Sequence, residues 1–224
     1  DKLCALAGID KAIMPPIVKP TDVIGKVTDK AASETGLLAG TPVICGTTDT
    51  VMEVFASGAV SKGQMTLKLA TAGRICVITD KPYPDRHLVN YSHIANGLWY
   101  PGTATKSCAA SYRWYRDTFG GEYAALDEGA KDIPIGSNGV VFLPYLCGST
   151  MPKYNPNARG SFTGLTTEHT RAHFVRSIME AISATLKENL DYLNLEVSEI
   201  RAMGGAANSK VWCQIKSDVT GANL

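Results

Sequence analysis

The sequence of 224 residues lacks the features that mark several classes of protein. It has no block rich in Lys and Arg, and its formal net charge is only +1, so its composition does not favour a nucleic-acid partner. No apolar run approaches the ~18 residues that span a bilayer, and the first residues show no signal-peptide pattern. We therefore expect a cytoplasmic protein that works with neither nucleic acid nor a membrane.

Cysteine is present but without a recognisable spacing. The six cysteines are Cys4, Cys45, Cys76, Cys108, Cys147 and Cys213. They form neither a CxxC pair nor a His–Cys cluster, which argues against a zinc site and a disulfide framework. The four histidines also lack a metal-binding spacing. These absences predict no protein-built metal site, and they favour a reducing compartment.

The remaining composition is that of an ordinary globular protein. Apolar residues make up 45% of the chain and charged residues 19%, which is enough to build a substantial core. The sequence starts at Asp1 rather than Met, and its last stretch, DVTGANL, follows directly on a helix-like segment. We expect these 224 residues to be a fragment of a longer protein.

Hydrophobic periodicity predicts both strands and helices. Alternation predicts β-hairpins over residues 64–79 and 88–104, and the second should turn at Asn96-Gly97, a pair that favours tight hairpins. Further strands are predicted at residues 42–46, 139–146 and 199–203, and the first two of these should be buried. Helices are predicted at residues 28–36, 50–59, 108–120, 121–133, 168–193 and 210–221. This order predicts an α/β or α+β protein with a mixed sheet and flanking helices.

Two further expectations concern the segments between these elements. In the helix at residues 50–59, Val51, Val54 and Phe55 should lie on one side. That helix should end near Gly58–Gly63, which we take as a domain boundary. Residues 147–165 are rich in Gly, Pro and Asn and predict a long loop.

Two small-residue turns are candidates for binding an anion. In MGGAANS (residues 203–209), a strand runs into paired glycines and then a helix, which can bring backbone N–H groups close to a ligand. Asn208 or Ser209 can cap the helix. In LATAG (residues 69–73), a hydroxyl and a glycine at a hairpin turn could surround a phosphate. An ordinary tight connection explains the first turn as well as a ligand does, and an ordinary β-turn is the favoured explanation of the second.

Asp49 stands at the start of a predicted helix, within GTTDT. A carboxylate there is most often a cap that interacts with backbone N–H groups and the helix dipole. In a cleft that faces a substrate hydroxyl it could instead accept a proton during phosphoryl transfer. Local sequence alone leaves both roles open.

The most specific motif is GSFTGLTTEHTRAHFVRSIMEAI, residues 160–182. It resembles the second signature of the FGGY carbohydrate kinases, most closely the xylulokinase-like branch. The positions that agree are Gly160, Phe162, Gly164, Leu165, His173, Phe174, Ser177, Ile178, Met179 and Glu180. About ten constrained positions agree within one window, so the resemblance is specific.

The rest of the chain is similar to the later half of that family, in the same order. Residues 39–50 resemble the segment that carries the family's catalytic aspartate, LATAG the phosphate-contacting turn, and residues 203–221 the adenosine-binding loop and its helix. The resemblance implies the actin-like, ribonuclease H-like ATPase fold. Residues 1–60 would then be the last part of an N-terminal sugar-binding domain, which is incomplete here. Residues 61–224 would form a C-terminal nucleotide-binding domain that is truncated at its C-terminus.

The resemblance also implies a reaction, in which the γ-phosphate of ATP moves to a hydroxyl of a sugar or polyol with Mg²⁺ as cofactor. Asp49 would be the general base, and a pentulose such as xylulose the substrate. The residues implied at the nucleotide are Thr71 and Gly73 at the phosphates, and Gly204, Gly205, Ala206 and Asn208 at the adenosine. Since family members are often dimers, a homodimer is implied, and the fragment alone should be inactive.

Alternatives remain at this point. Glycerol, ribulose or another sugar or polyol could be the substrate. The chain could also be a non-catalytic nucleotide-binding or interaction module on the same fold. Ala70 and Ala72 in LATAG favour that alternative, whereas a retained Asp49 argues against it.

Overall fold

The computed structural model describes residues 2–95 and 97–222. The chain divides into two compact units, Asp1–Met52 and Glu53–Leu224. Asn96, where the second hairpin is predicted to turn, lies outside the described residues. Within the described residues, no helix combines the length and the apolar character that a bilayer crossing requires.

The first unit is built from short elements. They are α1 (Lys2–Ala7), β1 (Val23–Lys26), α2 (Asp29–Thr35), β2 (Pro42–Ile44) and the start of α3 (Asp49–Ala56). Strands β1 and β2 form an antiparallel two-stranded sheet. The Thr28 hydroxyl accepts a hydrogen bond from the N–H of Ala31 at 3.2 Å and so caps α2. Gly36 ends that helix in the left-handed region, which confirms the predicted helix.

The second unit contains the remaining elements. The strands are β3 (Gln64–Leu69), β4 (Gly73–Val77), β5 (Val89–Ser92), β6 (Trp99–Ala104), β7 (Val141–Leu143), β8 (Ser161–Thr163) and β9 (Glu199–Met203). The helices are α4 (Ala109–Phe119), α5 (Tyr123–Lys131), α6 (Arg171–Leu193) and α7 (Lys210–Thr220). This inventory confirms the predicted mixture of strands and helices.

A five-stranded mixed sheet organises the second unit, in the order β5-β6-β4-β3-β9. Both predicted hairpins are present, since β3 pairs antiparallel with β4 and β5 pairs antiparallel with β6. Strand β9 joins the other edge of β3 in parallel. Met65, Leu67 and Leu69 of β3 are each at most 1% exposed, as their alternation predicts. The sheet thereby brings the β3–β4 turn and the residues after β9 to the same end.

Helices cover this sheet and complete the core. Ile178, Met179 and Ile182 of α6 are buried, as are Tyr112 of α4 and Trp212 of α7. The Trp212 indole N–H donates to the carbonyl of Met179 at 3.1 Å, so a buried polar contact joins α7 to α6. The helices α4 and α7 are therefore held on the central helix α6.

Two strands are less buried than the sequence predicts. Val43 and Ile44 of β2 are 40% and 53% exposed, because β2 pairs only with β1 and the described part of that small sheet buries no side chain. In β7 only Phe142 is buried, since β7 pairs with β8 in a two-stranded sheet whose inner face meets α6. Both strands were predicted correctly, but the prediction that both are buried was wrong.

On α3, Val51 and Val54 are buried and Phe55 is 42% exposed, so only part of its apolar side is covered. One other local prediction needs correction. The segment 147–165 is not wholly a loop, because it contains β8. The pairing of β8 with β7 places the rings of Phe142 and Phe162 4.6 Å apart, and this contact between distant segments decides the local structure.

Candidate functional site

A cleft of about 720 Å³ lies in the second unit, at the end of the sheet where β3 and β9 finish. Its walls come from the β3–β4 turn, from α4, α5 and α7, and from the turn that precedes α7. Four of the predicted nucleotide residues line it, and they are Thr71, Gly205, Ala206 and Asn208. The volume is in the range of clefts that hold a small molecule or cofactor.

The β3–β4 turn is tied to the start of α4 by backbone hydrogen bonds. The carbonyls of Ala70 and Thr71 accept from the N–H groups of Ala109 and Cys108 at 3.0 and 3.1 Å. The Thr71 hydroxyl lies 3.5 Å from a guanidinium nitrogen of Arg113, which also lines the cleft. A hydroxyl and a positive charge therefore stand together at this end, a combination that suits an anionic group.

Gly73 lies behind the turn rather than on the cleft wall. Its N–H donates to the Thr105 hydroxyl at 3.1 Å, inside the protein. A Cβ atom at this position would stand 3.0 Å from that hydroxyl oxygen and 3.2 Å from Cys108 Sγ. Glycine here thus allows β4 to pack closely under the turn.

Gly204 has a similar packing role at the end of β9. Its φ is +92°, and a Cβ atom would stand 2.5 Å from the carbonyl oxygen of Leu69. The close approach is therefore between two strands of the protein. The next residues form a short 3₁₀ turn, Gly205–Asn208, and Gly205 has open space around its Cβ position. Gly204 holds the turn against β3, and Gly205 faces the cleft.

Helix α7 begins directly after this turn. The Ser209 hydroxyl accepts from the N–H of Trp212 at 3.2 Å, so Ser209 is the residue that caps the helix. Asn208 is left to line the cleft. Of the two caps that the sequence allows, the structure uses Ser209.

Behind this wall lies a buried lysine that sequence reasoning missed. Lys216 of α7 is fully buried, and its ammonium group lies 3.4 Å from the carbonyl oxygen of Ala206 and 5.1 Å from the centre of the Trp212 ring. Burial lowers the pKa of Lys216. The lysine therefore supports the 3₁₀ turn from inside, and its position in an amphipathic helix gives no local sign of this.

A second feature that the sequence did not predict is a hydrogen-bonded pair on the opposite wall of the cleft. The Tyr112 hydroxyl of α4 donates to Oδ1 of Asp127 on α5 at 2.6 Å, and both residues line the cleft. Burial raises the pKa of Tyr112, and the neighbouring carboxylate adds to the shift, so the phenol stays protonated as a donor. Nothing in the local sequence links Tyr112 to a carboxylate fifteen positions away.

Asp49 belongs to the first unit, where it is exposed in the first turn of α3. The carbonyl of Thr48 accepts the hydrogen bond of the Met52 N–H at 3.1 Å, and the Thr48 hydroxyl lies 3.5 Å from the N–H of Val51. Asp49 itself accepts, through Oδ1, from the N–H of Thr50 at 2.6 Å. Thr48 thus occupies the cap position, and the Asp49 carboxylate follows it at the first helical residue.

Sequence models of both domains of one family match this chain. The C-terminal domain of the FGGY family of carbohydrate kinases matches residues 43–224, and its N-terminal domain matches residues 1–56. Among curated proteins, the xylulose kinase of Bacillus subtilis (strain 168) is 30% identical over 224 residues, covering 97% of this chain and 45% of that protein. The gluconokinase of the same organism is 30% identical over 232 residues, covering 96% and 45%.

Solved structures give the same assignment. The xylulose kinase from Rhodospirillum rubrum superposes with a TM-score of 0.86 at 32% identity, over 99% of this chain and 46% of that one. The Plasmodium falciparum glycerol kinase with ADP superposes with a TM-score of 0.86 at 19% identity, over 99% and 46%, and shows the fold alone. The predicted actin-like ATPase fold is confirmed, and the chain spans slightly less than half the length of these relatives. The chain belongs to the FGGY family of carbohydrate kinases.

Proposed function

We propose that the protein transfers the γ-phosphoryl group of ATP to a hydroxyl group of a sugar or polyol. The observation that carries this proposal is the cleft of about 720 Å³, whose wall joins the β3–β4 turn to the Gly205–Asn208 turn in a chain of this family. Gly205 has open space around its Cβ position on one turn, and Thr71 and Arg113 provide polar groups at the other.

The nucleotide residues follow from these walls. Thr71 would contact the phosphates, and Gly205, Ala206 and Asn208 would lie along the adenosine. Gly73 and Gly204 would act one layer behind, because a Cβ atom would crowd the Thr105 and Cys108 side chains at Gly73 and would lie 2.5 Å from the Leu69 carbonyl oxygen at Gly204. Their contribution is to fix the two turns in place.

Asp49 would act as the general base. Both of its hydrogen bonds within the described residues go to Oδ1 and come from Thr50, so Oδ2 is the oxygen that could face a substrate hydroxyl. That oxygen would orient the hydroxyl and take its proton as the new O–P bond forms and the bond to the leaving ADP breaks. The carboxylate supplies a proton acceptor and no covalent intermediate.

Mg²⁺ remains a prediction for this protein. In the part of the chain that the structure describes, no three His, Cys, Asp or Glu side chains come together as a metal site. A Mg²⁺ ion that arrives with ATP would be bound by the phosphates and by one or two carboxylates, and such a site needs no cluster of three.

A pentulose such as xylulose is the substrate that we propose first, because relatives of about 30% identity are named xylulose kinases. Gluconate and glycerol are the other candidates that the names of relatives supply, and ribulose is a further candidate. We further propose a cytoplasmic homodimer, with residues 1–60 in the sugar-binding domain and 61–224 in the nucleotide-binding domain.

The test is ADP release by a full-length chain that includes these 224 residues, measured with xylulose, ribulose, gluconate and glycerol in parallel. We expect turnover that depends on one of these acceptors and exceeds the rate without acceptor. ATP binding with no acceptor-dependent turnover would instead support the non-catalytic nucleotide-binding module. Ala70 and Ala72 favour that second candidate, since they leave Thr71 as the one side-chain hydroxyl of the turn Ala70–Gly73.

A further inference from the structure

The hydrogen bond between Tyr112 and Asp127 holds the Asp127 carboxylate in place to accept a further hydrogen bond from a ligand. Tyr112 is 4% exposed, and its ring packs 5.1 Å from Tyr123 and 5.7 Å from Trp212, which fixes its position. Its hydroxyl donates to Oδ1 of Asp127 at 2.6 Å. One carboxylate oxygen is therefore held by a rigid, protonated phenol.

The second oxygen of Asp127 is available to a ligand. Within residues 2–95 and 97–222, the 2.6 Å bond from Tyr112 is the one hydrogen bond to this carboxylate, and Asp127 lines the cleft. A carboxylate accepts hydrogen bonds and cannot donate one when ionised. A ligand group that meets it must therefore carry an N–H or O–H donor.

The two charged residues of the cleft wall indicate that Asp127 does not lie at the phosphates of a bound nucleotide. The other charged residue on the wall is Arg113, which stands beside Thr71 at the β3–β4 turn, whereas Asp127 stands on α5. A polyphosphate is attracted to the guanidinium and repelled by the carboxylate. The α5 wall is therefore left for the uncharged part of a nucleotide.

We propose that Asp127, positioned by Tyr112, is a specificity-determining residue that accepts a hydrogen bond from an N–H or O–H donor of the nucleoside. This inference rests on the proposed function, because it assumes that the cleft binds ATP. The donor is either a ribose hydroxyl or the exocyclic amine of adenine, and both present the same chemistry to the carboxylate.

Calorimetric titration with ADP of a full-length chain that includes these 224 residues tests the proposal. Asp127→Asn keeps an oxygen for Tyr112 but turns the other end into a donor, so we expect Kd to rise roughly ten-fold or more. Glu128→Gln is the matched control, since Glu128 is the next residue on α5, is exposed and does not line the cleft. It should bind ADP as the unaltered chain does.

Nucleotide analogues identify the donor. The 2′-deoxy and 3′-deoxy forms of ADP lack one ribose hydroxyl each, and purine riboside diphosphate carries a hydrogen atom in place of the amine. For the analogue without the contacted donor, the unaltered chain and Asp127→Asn should bind equally. Inorganic tripolyphosphate should bind no more weakly to Asp127→Asn, because it does not reach α5.

Tyr112→Phe tests the positioning role. It keeps the ring and removes the hydroxyl, so it should weaken ADP binding in the unaltered background and have no further effect in Asp127→Asn. A purely structural role would weaken binding equally in both backgrounds.

The outcomes separate this inference from the proposed function. If the unaltered chain fails to bind ADP, both are overturned. If it binds ADP and Asp127→Asn binds equally well, only the role of Asp127 is overturned. An equal loss for ADP, every analogue and tripolyphosphate would also contradict it.

Discussion

Asp49 carries the chemical step of the proposal, and its replacement gives the sharpest prediction for a single residue. Asparagine keeps an oxygen for the Thr50 N–H but cannot accept a proton at neutral pH. In a full-length chain we expect Asp49→Asn to lower kcat by roughly 10²–10⁴-fold, the usual range for a general base. The Kd for ADP should stay unchanged. Steady-state ADP release and calorimetry measure the two quantities.

The control for Asp49 is another exposed carboxylate of the same unit. Glu34 lies on α2, where it forms an exposed ion pair with Lys30 at 3.9 Å. Glu34→Gln should leave kcat unaltered, because such pairs contribute little. Turnover in Asp49→Asn at the level of Glu34→Gln would rule out Asp49 as the base.

Lys216 predicts a pH dependence of stability. Burial lowers its pKa below the ordinary 10.5, so the unfolded chain binds more protons than the folded chain between the two values. The free energy of unfolding should therefore rise with pH over this window, relative to Lys216→Met, which does not titrate. Denaturant unfolding at several pH values up to 10.5 measures the difference between the two proteins. A difference that stays constant with pH would contradict the assignment.

Individual residues show where sequence reasoning stops. Thr71 and Asn208 were found from small-residue turns and the family resemblance, and the structure places both at the cleft. Asp127 and Lys216 were not found, because their partners come from other elements of the fold. A local pattern encodes helix faces and turns, whereas the meeting of α4 with α5 depends on the tertiary packing.

At the scale of elements, the turn between β9 and α7 gives a matched pair of substitutions. Gly204→Ala would place a Cβ atom 2.5 Å from the Leu69 carbonyl oxygen at a φ of +92°, so we expect it to destabilise the second unit by about 1–3 kcal/mol or more. Gly205→Ala meets no atom within 4 Å and should change the free energy of unfolding by less than about 0.5 kcal/mol.

Tryptophan fluorescence can follow this unfolding. All three tryptophans, Trp99, Trp114 and Trp212, belong to the second unit. The signal in urea therefore reports on the unit that contains the turn. Equal stability of Gly204→Ala and Gly205→Ala would show that the close contact with β3 is unimportant.

Elements were easier to predict than their burial. Alternation identified both hairpins of the central sheet, and helical periodicity identified α6, because these patterns are local consequences of strand and helix geometry. The exposure of β2 and the strand β8 were missed. Burial depends on what packs against a strand, and β8 exists through its pairing with β7, more than fifteen residues earlier.

At the scale of the whole molecule, the two units differ in their cores. The second unit buries a continuous apolar cluster around α6, whereas residues 2–50 bury no side chain. In that segment Leu6, Ile17 and Leu38 are each more than 80% exposed. Binding and stability can therefore be followed through signals from the second unit, whereas turnover should be measured with a full-length chain.

The most direct test of the central claim follows the phosphoryl group itself. A full-length chain that includes these residues is incubated with ATP labelled at the γ-phosphate and with xylulose, and the products are separated. We predict that the label moves to xylulose or, in parallel incubations, to ribulose, gluconate or glycerol. Label that stays on ATP with every acceptor, or appears only as inorganic phosphate, would contradict it.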